Sequence, residues 1–176
     1  MSLVAAFALA AAAQSSAVFR PAQQVTRMEI AGDGELLSCT NVNRGAFEGS
    51  DDFCELVRSG PSARRLQMRG GTGSRPVVAV SELAVNVEGT EPYQAEHARP
   101  GRRVIALARG TFEISERGKV ENCRPVEARG DPMLQMPVCR LLDGSSFTPR
   151  RGPDGAPLRS RGEILGAFSV EEAAPD

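Results

Sequence analysis

The chain has 176 residues, 41% hydrophobic and 24% charged, which is globular material sufficient for one domain or two small ones and unlike a disordered segment. Aromatic residues make up only 5%, with no Trp and a single Tyr, Tyr93, so large stacking surfaces for bases or sugars are excluded and any core must be aliphatic. A formal net charge of -1 and a pI near 6.0 give no overall field to attract nucleic acid or anionic lipid, and no nucleic-acid partner is expected.

The first stretch, Ser2 to Ala13, is an apolar run of small and aliphatic residues ending in small-x-small triplets before Gln14-Ser15-Ser16. That is the form of a signal peptide over residues 1–16, although no Lys or Arg precedes the run. It is shorter than the ~20 apolar residues a membrane-spanning helix needs, and no other segment is apolar enough, so no stable membrane span is expected.

Beyond it the chain repeats. Met28 to Val42 aligns without gaps on Phe112 to Val126 at a constant offset of 84, with Glu, Ile, Gly, Cys and Val coinciding, and the next cysteines, Cys54 and Cys139, follow 85 apart. Two copies are too few for a solenoid, so duplication of a small domain is the reading. The seam falls near Gly89 to Pro100, which gives modules at 17–90 and 99–172, a linker at 91–98 and a tail at 173–176.

Each copy opens as a hairpin. In the first, Gly32-Asp33-Gly34 makes the turn, Gly34 being able to take positive φ; in the second, Phe112 and Ile114 alternate with polar neighbours, Glu116-Arg117-Gly118 turns the chain, and Val120 to Val126 returns it. A short helix is expected next. It begins at Ser50-Asp51-Asp52 and carries Phe53, Leu56 and Val57 in one copy; in the other Asp131-Pro132 opens it, Pro137 restarts it and Gly144 ends it. Further strands are expected at Val77–Val80, Leu83–Val87, Val104–Ala108 and Ile164–Val170. The fold class is α+β, two tandem modules, each an antiparallel sheet of three to four strands with one short helix.

Four cysteines behind an export segment point to disulfides in an oxidising compartment. Three pairings can be written; duplication selects Cys39 with Cys54 and Cys123 with Cys139, since each module would have closed its own bridge before it was copied. Closing a loop of about 15 residues is worth roughly 3 kcal/mol by the chain-entropy estimate. A metal site is not expected, because there is no C-x-x-C pair and only one His.

The residues Gly118-Lys119-Val120-Glu121-Asn122-Cys123, then Cys139-Arg140-Leu141-Leu142, then Phe147-Thr148-Pro149 and the Gly155-Ala156-Pro157 turn resemble the two-cysteine variants of the TonB C-terminal domain family. The resemblance covers about 106–170. The first copy shares Gly34, Leu36 and both cysteines, with Leu66-Gln67-Met68 where Phe-x-Pro would stand. The resemblance implies a three-stranded antiparallel sheet with a helix on one face, a periplasmic or secreted location, and partner binding by strand addition at an open edge. The expected edge is the last strand, through Glu163, Ile164, Leu165, Phe168 and Val170, and the expected partner is an envelope protein or outer-membrane receptor segment. The membrane helix and long Pro-rich spacer of a transducer are not in this sequence.

No catalytic centre can be assembled from the single His97, expected to be solvent-exposed between the copies, and scattered carboxylates. Gly70 to Ser74 lacks the Gly-Lys-Ser/Thr ending of a phosphate loop and reads as a connection; Asp51-Asp52 reads as helix capping; Arg150, Arg151, Arg159 and Arg161 read as solvated surface. No cofactor is expected. The functional expectation is a periplasmic, non-catalytic interaction protein in or beside outer-membrane transport. The alternative is an exported stand-alone binder or inhibitor on the same scaffold, and homodimerisation through open edges is left open.

Overall fold

The computed structural model describes residues 21–50, 53–59 and 76–171. The signal-peptide segment, Asp51-Asp52, Leu66-Gln67-Met68, Gly70 to Ser74 and the 173–176 tail lie outside the described residues.

The chain folds as a mixed α+β structure dominated by one antiparallel sheet. In order, β1 (Ala22–Ile30), β2 (Leu36–Gly45), α1 (Phe53–Ser59) and β3 (Val77–Val87) are followed by β4 (Arg102–Ile114), β5 (Val120–Gly130), α2 (Val138–Leu141), a small hairpin of β6 (Arg150–Arg151) and β7 (Pro157–Leu158), and β8 (Ser160–Glu171). The six long strands line up as β2-β1-β3-β8-β4-β5. The sheet is therefore continuous: β3 and β8 pair antiparallel from Ala79 opposite Val170 to Val87 opposite Gly162.

Counting the strands of the large sheet, the order strand, strand, helix, strand occurs twice, with the β6–β7 hairpin inserted before β8 in the second half; the strand, strand, helix, strand, strand expected of each copy does not occur. Val77–Val80 and Leu83–Val87 are one strand, because Ser81 and Glu82 between them are buried in the sheet. Val104–Ala108 likewise runs on without a break into the first strand of the second hairpin. The two hairpin turns have the same bonds 84 residues apart. Gly34 N–H donates to the Ala31 carbonyl (2.9 Å) and Ala31 N–H to that of Glu35 (2.8 Å); Gly118 N–H donates to Ser115 (2.8 Å) and Ser115 N–H to Lys119 (2.9 Å). Both glycines have positive φ, +92° and +77°, which a side chain would resist.

Side chains alternate across the sheet, and one face carries both helices. There the strands contribute Met28, Ile30, Leu83, Val85, Phe112, Ile114, Ile164 and Phe168, and the helical segments Cys54, Val57, Val138 and Leu142, to a single buried cluster that runs through both halves. Glycines on β8 make room for it: a Cβ on Gly162 would lie 2.2 Å from the Phe112 ring, and one on Gly166 2.6 Å from the Met136 sulfur. Helix α2 is only four residues long, beginning after Pro137. The Asp131-Pro132 pair expected to open it forms a turn instead, Asp131 accepting from Leu134 N–H (3.1 Å).

Candidate functional site: the sheet edges and a buried carboxylate

Cys39 is bridged to Cys54 and Cys123 to Cys139, each joining the second strand of a hairpin to the helix that follows it. The first bridge is buried and the second half-buried. The second-half motif residues gather around one turn. Phe147 N–H donates to the Gly118 carbonyl (2.7 Å), its ring stacks on Phe112 with centroids 5.8 Å apart, and the Pro149 ring lies against the Gly118 turn. Gly155 (φ +79°) forms the β6–β7 turn that leads into Pro157. These residues hold the hairpin against its own half.

The strand expected to be an open edge is not one. β8, with Glu163, Ile164, Leu165, Phe168 and Val170, sits in the middle of the sheet, bonded to β3 on one side and β4 on the other. The physical reason is its side chains: Ile164 and Phe168 belong to the helix-face core, Leu165 and Ala167 to a second apolar cluster with Ala84 and Leu107 on the far face. A strand buried on both faces cannot be left at an edge without exposing one of them.

Among the described residues the edges are β2 and β5. They are built differently. β5 carries Pro125, which has no N–H to offer, two register irregularities against β4, Asn122 at φ +54°, and the charges Glu121, Arg124, Glu127 and Arg129. These are the devices that keep an edge from pairing. β2 reads Leu36-Leu37-Ser38-Cys39-Thr40-Asn41-Val42-Asn43-Arg44-Gly45, with one charge, no Pro, and an unbroken register from Ser38 opposite Glu29 to Gly45 opposite Ala22. Leu37 and Val42 are exposed on it, 50% and 45%. Its helix-face amides are ordered by side-chain bonds, Thr26 Oγ1 to Asn41 Oδ1 (2.7 Å), Asn41 Nδ2 to Asn43 Oδ1 (3.0 Å) and Gln24 Nε2 to Asn43 Oδ1 (3.0 Å).

Sequence reasoning missed a buried polar cluster on the far face, centred on Glu82 of β3. Gln23 Nε2 (2.7 Å) and the Glu96 N–H (3.0 Å) donate to its Oε1; the His97 N–H donates to Oε2 (2.9 Å), and His97 Nδ1 lies 2.6 Å from the same oxygen. Burial, the largest single influence, pushes the Glu82 carboxyl up; the bonds from His97, Glu96 and Gln23 together outweigh it and hold the group below the usual carboxylate value. His97, expected to be exposed, has its side chain only 10% exposed because it is turned onto this carboxylate. Arg44 Nη1 donates to Gln23 Oε1 (2.8 Å), and Arg102 meets the carbonyl and carboxylate of Glu96 (2.8 and 3.0 Å). Both Glu82 oxygens are occupied by donors from the β3–β4 connection and from β1, so the group fastens that connection across the sheet. A charge interrupting the apolar run of 77–87 was the available signal.

The basic residues singled out in the final hairpin are surface groups, Arg159 pairing with Glu121 (3.1 Å) and Glu113 (3.6 Å). A shallow polar cleft of about 390 Å³ lies beside them, lined by Ser115, Glu116, Arg117, Lys119, Glu121 and Arg159. Among the described residues no cluster of His, Cys, Asp and Glu could hold a metal ion, and no helix is long and apolar enough to cross a membrane. The Ser160 and Ser169 hydroxyls of β8 are buried without a hydrogen-bond partner, and nothing in the structure explains them. No protein-family model, no curated protein and no solved structure matches the chain.

Proposed function

We propose that the chain is an exported, non-catalytic interaction protein made by duplicating a TonB C-terminal-like unit of strand, strand, helix and strand, and that it works in the periplasm, in or beside outer-membrane transport, by accepting a partner's strand. The observation that carries this is the pairing of one recurrent frame with one edge strand that has no proline and a single charge. The turn at Gly34 and the bridge Cys39–Cys54 recur at Gly118 and Cys123–Cys139, which supports duplication of a bridged unit; two bridges fit an oxidising compartment. Each unit's own last strand, β3 or β8, is consumed in joining the halves. Strand addition then has β2 as its seat, where backbone groups supply affinity and Leu37 and Val42 supply choice. The shallow polar cleft beside Arg159 gives a small soluble ligand little apolar surface to bury.

The test is recovery of detergent-solubilised outer-membrane proteins by the oxidised chain, beside a chain whose β2 edge is blocked by Asn41→Pro. Outer-membrane receptors recovered with the first and lost with the second are the expected result. Receptors recovered equally by both, or by neither, would remove the strand-addition reading.

A further inference from the structure

We infer that β2 is a self-association edge, pairing antiparallel with β2 of a second copy about a two-fold axis through Asn41. The inference stands apart from the envelope reading and competes with it for the same edge: a β2 paired with its own copy must dissociate before it accepts a partner's strand.

Two bonds orient the edge. Gly45 N–H donates to Glu48 Oε1 (3.2 Å) and the Cys39 carbonyl accepts from Arg58 Nη2 (3.1 Å), so the residues opposite Ala22 and Met28 turn their peptide groups away from β1. The register between them is unbroken, so Asn41 and Asn43 do the same. A strand can pair with its own copy only in registers that keep each side chain on its face, and a two-fold at Asn41 is one of them. It sets Asn41 against Asn41, Cys39 against Asn43, Thr40 against Val42, and Arg44 against Ser38. No like charges meet, since Arg44 is the only charge in the strand.

The other edge argues for the same occupant. Pro125 stands 84 residues after Asn41, so the second half carries at the matching position the residue that forbids this pairing. With one edge open and one blocked, association closes at two copies and does not run on into a filament. Arg58 is the gate: its guanidinium holds the Cys39 carbonyl and must release it when the dimer forms.

The measurement is the mass of the oxidised chain by sedimentation or light scattering from about 1 μM to 1 mM, the range in which an affinity of that order would be seen. Wild type is expected to pass from one chain to two. Asn41→Pro, which removes an N–H facing away from β1, is expected to stay at one, and Arg58→Ala to dimerise at a concentration lower by about threefold or more, the equivalent of one released hydrogen bond. Val126→Lys on β5 is expected to change nothing. Amide exchange on the unaltered chain gives a second readout: the Asn41 and Asn43 amides slow as concentration rises. A chain that stays single at 1 mM with those amides exchanging freely overturns the inference and leaves β2 to a foreign strand; a dimer that survives in a folded Asn41→Pro overturns it in favour of another surface.

Discussion

Glu82 lies in the middle of a buried strand, where an unpaired carboxylate would cost several kcal/mol, and it accepts hydrogen bonds from Gln23, Glu96 and His97. Glu82→Ala leaves those donors buried without an acceptor and is expected to lose about 3 kcal/mol, read as a shift in the urea midpoint. The pH dependence has a definite sign. The folded-state pKa is held below the unfolded one, so the contribution is complete above the unfolded value, about 4.3 for Glu, and disappears as pH falls through the folded value. Wild type is therefore expected to lose stability more steeply than Glu82→Gln as pH falls below about 5; parallel curves would assign the acid sensitivity elsewhere. Gly118 and Gly144 make a matched pair of a different kind. Both have φ +77°, but a Cβ on Gly118 would lie 1.9 Å from the Phe147 carbonyl, whereas Gly144 has open space. Gly144→Ala is expected to cost about 1 kcal/mol for the backbone alone, and Gly118→Ala at least twice that. Gly118 was readable in the sequence because a turn between alternating strands is a local pattern. At Glu82 only the charge itself was visible, interrupting an apolar run; its partners were not, because Gln23 and His97 lie 59 residues before and 15 after it.

At the level of elements, the bridges were legible and the place of the last strand was not, for connected reasons. A disulfide between a strand and the next helix spans 15 or 16 residues, so the internal repeat in the sequence was enough to select the pairing. Sheet order depends on β3 meeting β8, about eighty residues apart in the chain. The sequence did hold one clue: Ile164-Leu165-Gly166-Ala167-Phe168 is a continuous apolar run, the mark of a strand covered on both faces, where an edge strand would alternate. The bridges differ in accessibility, and that difference is testable. Cys123 and Cys139 are half-buried while Cys54 is 1% exposed, so graded reduction followed by alkylation and peptide mass spectrometry is expected to open Cys123–Cys139 first. Replacing either pair with Ala is expected to cost about 3 kcal/mol, since the closed loops are nearly equal in length.

The described residues form a sheet whose two halves meet at their innermost strands, β3 and β8, and one buried cluster continues across that junction from Leu83 and Val85 to Ile164 and Phe168. The far face is joined as well: Ala84 packs with Leu165 and Ala167, and Arg27 of β1 reaches Glu171 of β8 (2.6 Å). Separating the halves strips neighbours from both faces of β3 and of β8 at once and leaves each with a bare central edge, which is the surface a protein can least tolerate exposing. The bridges cannot compensate, because each lies wholly within its own half. Residues 17–90 and 99–172 made as separate oxidised chains are therefore each expected to unfold without a sharp thermal transition, and their equimolar mixture to recover one, since everything that joins β3 to β8 is non-covalent. If either half alone melted cooperatively near the Tm of the intact chain, the junction would be a contact between two self-sufficient domains, and the shared core would contribute little to holding either of them.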